Sequence, residues 1–166
     1  MKAIALISRA VAAALLIAAL AGAQEAEPIS RRDLLLRAAR NQVQARALTK
    51  AIAYYREYLA DWPNDAAIAA EFAGVLVQAG HADEAEKVLR PLVEKDPNHR
   101  KAVSLLVDVA LIRKDYPLAV SVLEPAVQRA PDDAALRRRL AEVYTWSERH
   151  DDAVRQYRFL LTARPG

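Results

Sequence analysis

At 166 residues the chain has the length of one domain, and a hydrophobic content of 54% is ample for a core. It contains no cysteine, which excludes a disulfide framework, a thiolate metal site, a thiol nucleophile and lipoprotein-type acylation. Four glycines against abundant alanine favour helix over strand, and 24 lysines and arginines against 21 acids leave a formal net charge of only +3.

Residues 1–23 read as a secretory signal peptide. Lys2 and Arg9 give a positive start, Val11 to Leu20 is an unbroken apolar run, and Ala21-Gly22-Ala23 is a small-residue cleavage site. The stretch from Ala10 to Ala23 is shorter than the roughly 20 residues needed to span a bilayer. Cleavage would start the mature chain at Gln24 and place it in the periplasm or outside the cell, soluble and without a stable membrane span. Removing Lys2 and Arg9 leaves 22 basic residues against 21 acids, net +1, too balanced for the basic face that nucleic acid requires.

Residues 24–31 form a polar lead, with Ser30 and Asp33 spaced as a capping box at the start of the first helical run. Beyond it the chain is periodic. Ala51, Ala85, Ala119 and Ala153 recur every 34 residues, as do Pro63, Pro97, Pro131 and Pro165, and a large apolar residue (Tyr55, Leu89, Leu123, Tyr157) follows each alanine by four. A fixed period of this length means stacked copies of one supersecondary unit.

With each proline at position 32, the units are 32–65, 66–99, 100–133 and 134–166, each expected to be two antiparallel helices, A and B. In the second unit helix A is predicted from about Ala66 to Ala79 and helix B from about Asp83 to Lys95, with Gly80-His81 as the turn. Proline ends each B helix, and Asn64, Asn98 or Asp132 after it is expected to cap the next A helix. The first unit lacks a small residue or turn signal over Gln44-Ala45-Arg46-Ala47-Leu48, so its two helices are expected to be partly fused. Pro91 and Pro125 should bend their B helices. Alanine at position 20, with Ala39, Ala73, Val107 and Ala141 at position 8, lets the helices approach closely. Phe72, Leu76, Leu89 and Leu92 fill the second unit, and Leu140, Tyr144, Tyr157 and Leu160 the fourth.

These marks resemble the tetratricopeptide repeat family over residues 32–165. The resemblance implies an all-α, right-handed superhelical solenoid of four antiparallel helix pairs, whose concave groove is lined by helix A positions 2, 5, 9, 12 and 13. Carried over, those positions are Asp33, Leu36, Arg40, Val43 and Gln44, then Ala67, Ala70, Gly74, Val77 and Gln78. The third unit supplies Lys101, Ser104, Asp108, Leu111 and Ile112, and the fourth Ala135, Arg138, Glu142, Thr145 and Trp146. The polar and aromatic members, Arg40, Gln44, Gln78, Lys101, Asp108, Arg138, Glu142 and Trp146, are the candidate binding residues for an extended segment or helix of a protein partner. Leu36 and Arg40 stand where the family's carboxylate clamp has lysine and asparagine, which argues against binding of chaperone tails.

No catalytic constellation, cofactor site or metal site is legible. His81, His99 and His150 fall in turns without ligand spacing, and two glycines within the repeats, Gly74 and Gly80, cannot build a phosphate loop. Asp132-Asp133 and Asp151-Asp152 suit helix starts, and Arg137-Arg138-Arg139 reads as a solvated face. Trp146 is read as a buried spacer before an exposed groove aromatic. No polar capping helix follows the fourth unit, so Trp146, Phe159 and Leu161 should be partly uncovered, with self-association or a longer chain as the two ways of covering them.

The expectation is an exported, non-catalytic scaffold for protein partners. The block LAEVYTWSERHDDAVRQYRFLL also resembles repeats of exopolysaccharide synthesis and export scaffolds. The alternative is therefore a carbohydrate-binding or assembly part of an envelope polysaccharide system, which requires Trp146 or Tyr144 to be exposed.

Overall fold

The computed structural model describes residues 29–162, in which eight α-helices follow one another with short connections and no strand. The signal segment, most of the polar lead and Pro165 lie outside the described residues. The helices are α1 (Arg31–Gln44), α2 (Leu48–Asp61), α3 (Ala66–Gln78), α4 (Ala82–Lys95), α5 (Arg100–Ile112), α6 (Tyr116–Arg129), α7 (Ala134–Trp146) and α8 (His150–Thr162).

The chain divides into two compact units, Met1–Leu34 and Leu35–Gly166. In the first, the Ser30 hydroxyl accepts from the Asp33 backbone N–H at 3.1 Å and donates to the Asp33 carboxylate at 2.7 Å, a variant of the capping box. In the second, each helix from α2 to α8 packs on its neighbour in sequence and α3 also meets α5, the solenoid pattern of stacked helix pairs.

A column of small side chains sets the spacing. Ala39, Ala73, Val107 and Ala141 on the A helices and Ala51, Ala85, Ala119 and Ala153 on the B helices are all buried. Phe72, Leu76, Leu89, Leu106, Leu123 and Leu140 interleave around them. Tyr157 departs from the expected filling role: it is 39% exposed, whereas Tyr55, Leu89 and Leu123 at the same position are buried. Tyr55 packs against Phe72 of the following A helix, its ring centroid 5.8 Å away, and among the described residues no helix follows α8.

The turn between helices, expected at Gly80-His81 in the second unit, is the same in all four units, including the first, where partial fusion was expected. Residues 46, 80, 114 and 148 each have positive φ, at 56°, 80°, 57° and 62°. The next amide reaches back five residues, from Ala47 to the Gln42 carbonyl, His81 to Leu76, Asp115 to Ala110 and Arg149 to Tyr144. The left-handed residue itself bonds three back, to Val43, Val77, Leu111 and Thr145. These are the two bonds of a Schellman motif. α1 and α2 are therefore separate helices, not fused, because Arg46 adopts the conformation that Gly80 adopts without a Cβ.

The caps at the other end also differ from expectation by one residue. Asp65, His99 and Asp133, not Asn64, Asn98 and Asp132, accept from the first helical amides. The amides of Asp65, His99 and Asp133 bond to the carbonyls of Trp62, Asp96 and Ala130, so the intervening proline and Asn64, Asn98 or Asp132 occupy the two centres of a β-turn. A residue at a turn centre cannot also hold the extended conformation of an N-cap. His99 thus uses Nδ1 to accept from the Ala102 amide at 3.3 Å, a structural role in place of the solvated turn expected of it. α4 and α6 continue through Pro91 and Pro125, each helix losing one internal donor there.

A left-handed L-residue is strained by about 1–2 kcal/mol relative to its right-handed form, a penalty glycine escapes. Arg46→Gly, Lys114→Gly and Glu148→Gly should each raise unfolding free energy by about 0.5–1 kcal/mol, and Gly80→Ala should lower it by about 1 kcal/mol. Urea midpoints at unchanged slope are the check.

Candidate protein-binding groove

Four of the candidate binding residues come together. Arg40 and Gln44 of α1, Gln78 of α3 and Lys101 of α5 line an open concavity of about 500 Å³, floored by Val43, Val77 and Leu105. Gly74 lies beside Leu105, and a Cβ built on it would meet the Leu105 methyls at 3.7 and 3.9 Å, ordinary contact.

Position 13 is exposed in every unit, as Gln44, Gln78, Ile112 and Trp146. Trp146 is 49% exposed, so the buried-spacer reading is corrected: the row it belongs to faces away from the packed core throughout. Along this row the chemistry passes from two amides to two apolar groups. Arg138 is exposed and Glu142 half-buried, outside the 500 Å³ concavity. Ala70 is fully buried and contributes to the core instead of the groove surface. Asp33, in the unit Met1–Leu34, is engaged with Ser30.

Position 9 turns out to join neighbouring units. Arg40 clasps Glu71 of α3 in a bidentate pair, Nε to Oε1 and Nη2 to Oε2, both at 2.8 Å. Tyr55 donates its hydroxyl to the same carboxylate. The bonds from Arg40, aided by Tyr55 and opposed by desolvation, hold the Glu71 carboxyl below the usual carboxylate range. Burial, reinforced by Glu71, pushes the Tyr55 phenol up. Two units on, the same two positions carry a pair of reversed sign: Asp108 at position 9 accepts from Arg139 at position 6. Arg139 also donates to the Ser104 hydroxyl at 3.1 Å. Between the second and third units the pair is apolar, Gly74 against Leu105. Arg40 and Asp108 are thus already partnered.

Glu71 was absent from the candidates, although it is the one charged side chain in α3, AAIAAEFAGVLVQ, a signal the sequence did offer. Arg137-Arg138-Arg139 is not a solvated face as a whole. The Arg137 guanidinium lies 3.6 Å from the Phe159 ring centroid and bonds Gln156 at 2.9 Å, and Arg139 is bonded as above. Tyr144 is buried, its hydroxyl donating to Glu124 at 2.7 Å, which withdraws it from carbohydrate stacking. Among the described residues no group of three or more histidines and carboxylates could hold a metal ion, and no helix is long and apolar enough to cross a membrane.

Glu71 has a depressed folded-state pKa, so its stabilisation is present above its unfolded value near 4.3 and is lost as pH falls through the folded value. Glu71→Gln should flatten the acid limb of stability against pH below about 4.3 and lower stability at pH 7 by about 1–2 kcal/mol. Arg139→Glu should destabilise by setting two acids together, and adding Asp108→Lys should recover at least about half of the loss in a double-mutant cycle followed by thermal unfolding.

The geometry agrees with what the chain is similar to. The family profile of the tetratricopeptide repeat matches residues 42–108 and 110–163. Tetratricopeptide repeat protein 21A of Mus musculus is 26% identical over 103 residues, which is 62% of this chain but only 8% of the mouse protein. Among solved structures, MamA 41-end from Desulfovibrio magneticus RS-1 superposes with a TM-score of 0.70 at 23% identity, over 83% of this chain and 78% of that one. A crystal structure of MamA protein gives 0.69 at 18% identity, over 80% and 72%. With both stretches of the profile together spanning most of its length, the chain belongs to the tetratricopeptide repeat family.

Proposed function

We propose that this chain is an exported scaffold, periplasmic or secreted after loss of residues 1–23, that holds a protein partner along its concave groove and has no catalysis of its own. The observation that carries this reading is the 500 Å³ concavity that gathers Arg40, Gln44, Gln78 and Lys101 over an apolar floor. Glu71 already neutralises Arg40, so Lys101 and the two glutamine amides are the polar groups left to engage a partner. Such a surface suits the backbone and polar side chains of an extended segment, with apolar anchors on Val43, Val77 and Leu105.

A second surface lies on the fourth unit. Val154, Tyr157 and Leu161, spaced three and four apart along α8, are all exposed, Leu161 at 78%, and we propose that this face mediates self-association.

Photo-crosslinking in the native host tests the groove. A benzoylphenylalanine replacing Gln78 should give a discrete protein adduct that Lys101→Glu weakens, whereas one replacing Lys87, exposed on α4, should give none. Equal adducts from both positions, or none from Gln78, would refute the groove. The mass of the protein recovered from the periplasm should correspond to a start at Gln24.

A further inference from the structure

The copies of helix B differ sharply at positions 27 and 31. They are Tyr58 and Trp62 in the first unit, Leu92 and Asp96 in the second, and Ala126 and Ala130 in the third. In the first, Tyr58 is fully buried with its ring 4.9 Å from that of Trp62, and its hydroxyl donates to Asp65 Oδ2 at 2.8 Å. Asp65 Oδ1 meanwhile caps α3 by accepting from the Ile68 amide at 3.2 Å.

Two units on, Asp133 holds the place of Asp65. Its Oδ1 caps α7, accepting from the Ala135 and Leu136 amides at 3.0 and 3.2 Å. With two alanines in place of two aromatics, the space beside it is an open concavity of about 440 Å³ walled by Val103, Ala126, Ala130 and Leu136. Asp133 Oδ2, the atom that corresponds to the acceptor of the Tyr58 phenol, is met by Arg100, whose side chain is 81% exposed.

We propose that this cavity receives a tyrosine side chain of a protein partner. Its ring would lie on Ala126, Ala130 and Leu136, and its hydroxyl would donate to Asp133 Oδ2, repeating the bond that Tyr58 makes to Asp65. The volume is within the roughly 300–1,000 Å³ of small-ligand pockets and exceeds what one ring needs. A buried phenol requires an acceptor, and here the acceptor is fixed in advance by the two capping bonds to its other oxygen. The Arg100 side chain is 81% exposed and free to swing into solvent, whereas Asp133 is 12% exposed and needs a replacement donor, which the phenol supplies. The carboxylate also discriminates: phenylalanine or leucine brings no donor to replace Arg100 at Oδ2, whereas a phenol does. Ser104 and Ala135, both groove positions, border the cavity, so a segment lying in the groove can insert one side chain there. The inference therefore rests on the partner-binding reading, and its test needs no partner.

The test titrates N-acetyl-tyrosinamide and N-acetyl-phenylalaninamide into the ¹⁵N-labelled chain. Saturable shifts are expected at the amides of Ser104, Ala130, Ala135 and Leu136, with the tyrosine probe about fivefold tighter, the worth of one hydrogen bond. Asp133→Asn keeps a capping side chain and should abolish that preference. Ala126→Tyr with Ala130→Trp should fill the cavity, abolish the shifts and raise the melting temperature. No saturable shift at these amides, equal affinity for the two probes, or binding unchanged in the filled variant would overturn the proposal. Should the filled variant not fold, the Asp133→Asn comparison decides alone. Shifts confined to Gln44, Gln78 and Lys101 would leave the groove standing and the cavity refuted.

Discussion

The structure from Leu35 onward depends on how closely two helices of one pair can approach. Ala39, Ala73, Val107 and Ala141 on the A helices and the alanines at 51, 85, 119 and 153 on the B helices are all buried, and no side chain at these positions is large. Close approach brings the larger residues on either side of the column into interdigitation, and protein interiors gain most from contacts at that density. The Schellman turn at the end of each A helix does the complementary work: three residues reverse the chain, so the B helix returns at a fixed offset. Spacing from the alanines and offset from the turn together repeat four times, and the row of position 13 is left on the surface in each copy.

Most of this was legible because it recurs. Ala51, Ala85, Ala119 and Ala153 and the four prolines mark the period, a fixed period implies stacked copies of one supersecondary unit, and the resemblance to the tetratricopeptide repeat implies that the unit is a helix pair. What escaped was local and lacked a residue signature. The left-handed turn position is glycine once and arginine, lysine or glutamate otherwise, so in the first unit nothing in Ala45-Arg46-Ala47 announced the reversal that the backbone makes. Schellman bonds and the packing beyond them over-determine Arg46 and hold it where its own preference would not. The caps were misplaced for a different reason. A proline at the first centre of a β-turn commits the next residue to the second centre, which defers the cap to Asp65, His99 and Asp133.

The groove was legible only as a set of positions, because the family pattern says where a side chain stands and not what already holds it. Arg40 and Asp108 were expected to face a partner, yet each is bonded to the neighbouring unit, to Glu71 and to Arg139. Those partners lie 31 residues away in the chain, beyond the reach of any helical spacing rule. The three contacts at this pair of positions run basic to acidic, apolar, then acidic to basic. Exchanging units would set Arg40 against Arg139, or Asp108 against Glu71, so the alternation opposes misordered stacking more than it adds to stability.

A repeat protein thereby separates two kinds of information. Residues that recur at one position build the scaffold, as the buried alanines do, and they cannot distinguish one unit from another. Residues that change at one position give each unit its own chemistry. Position 13 passes from Gln44 and Gln78 to Ile112 and Trp146, which makes one end of the row hydrogen-bonding and the other apolar. Positions 27 and 31 pass from Tyr58 and Trp62 to Ala126 and Ala130, which turns a filled interior into an open one while the capping aspartate stays in place. The first unit is therefore an internal control for the third: it displays, within the same chain, the side chain whose shape and hydrogen bond the third unit is built to accept from outside.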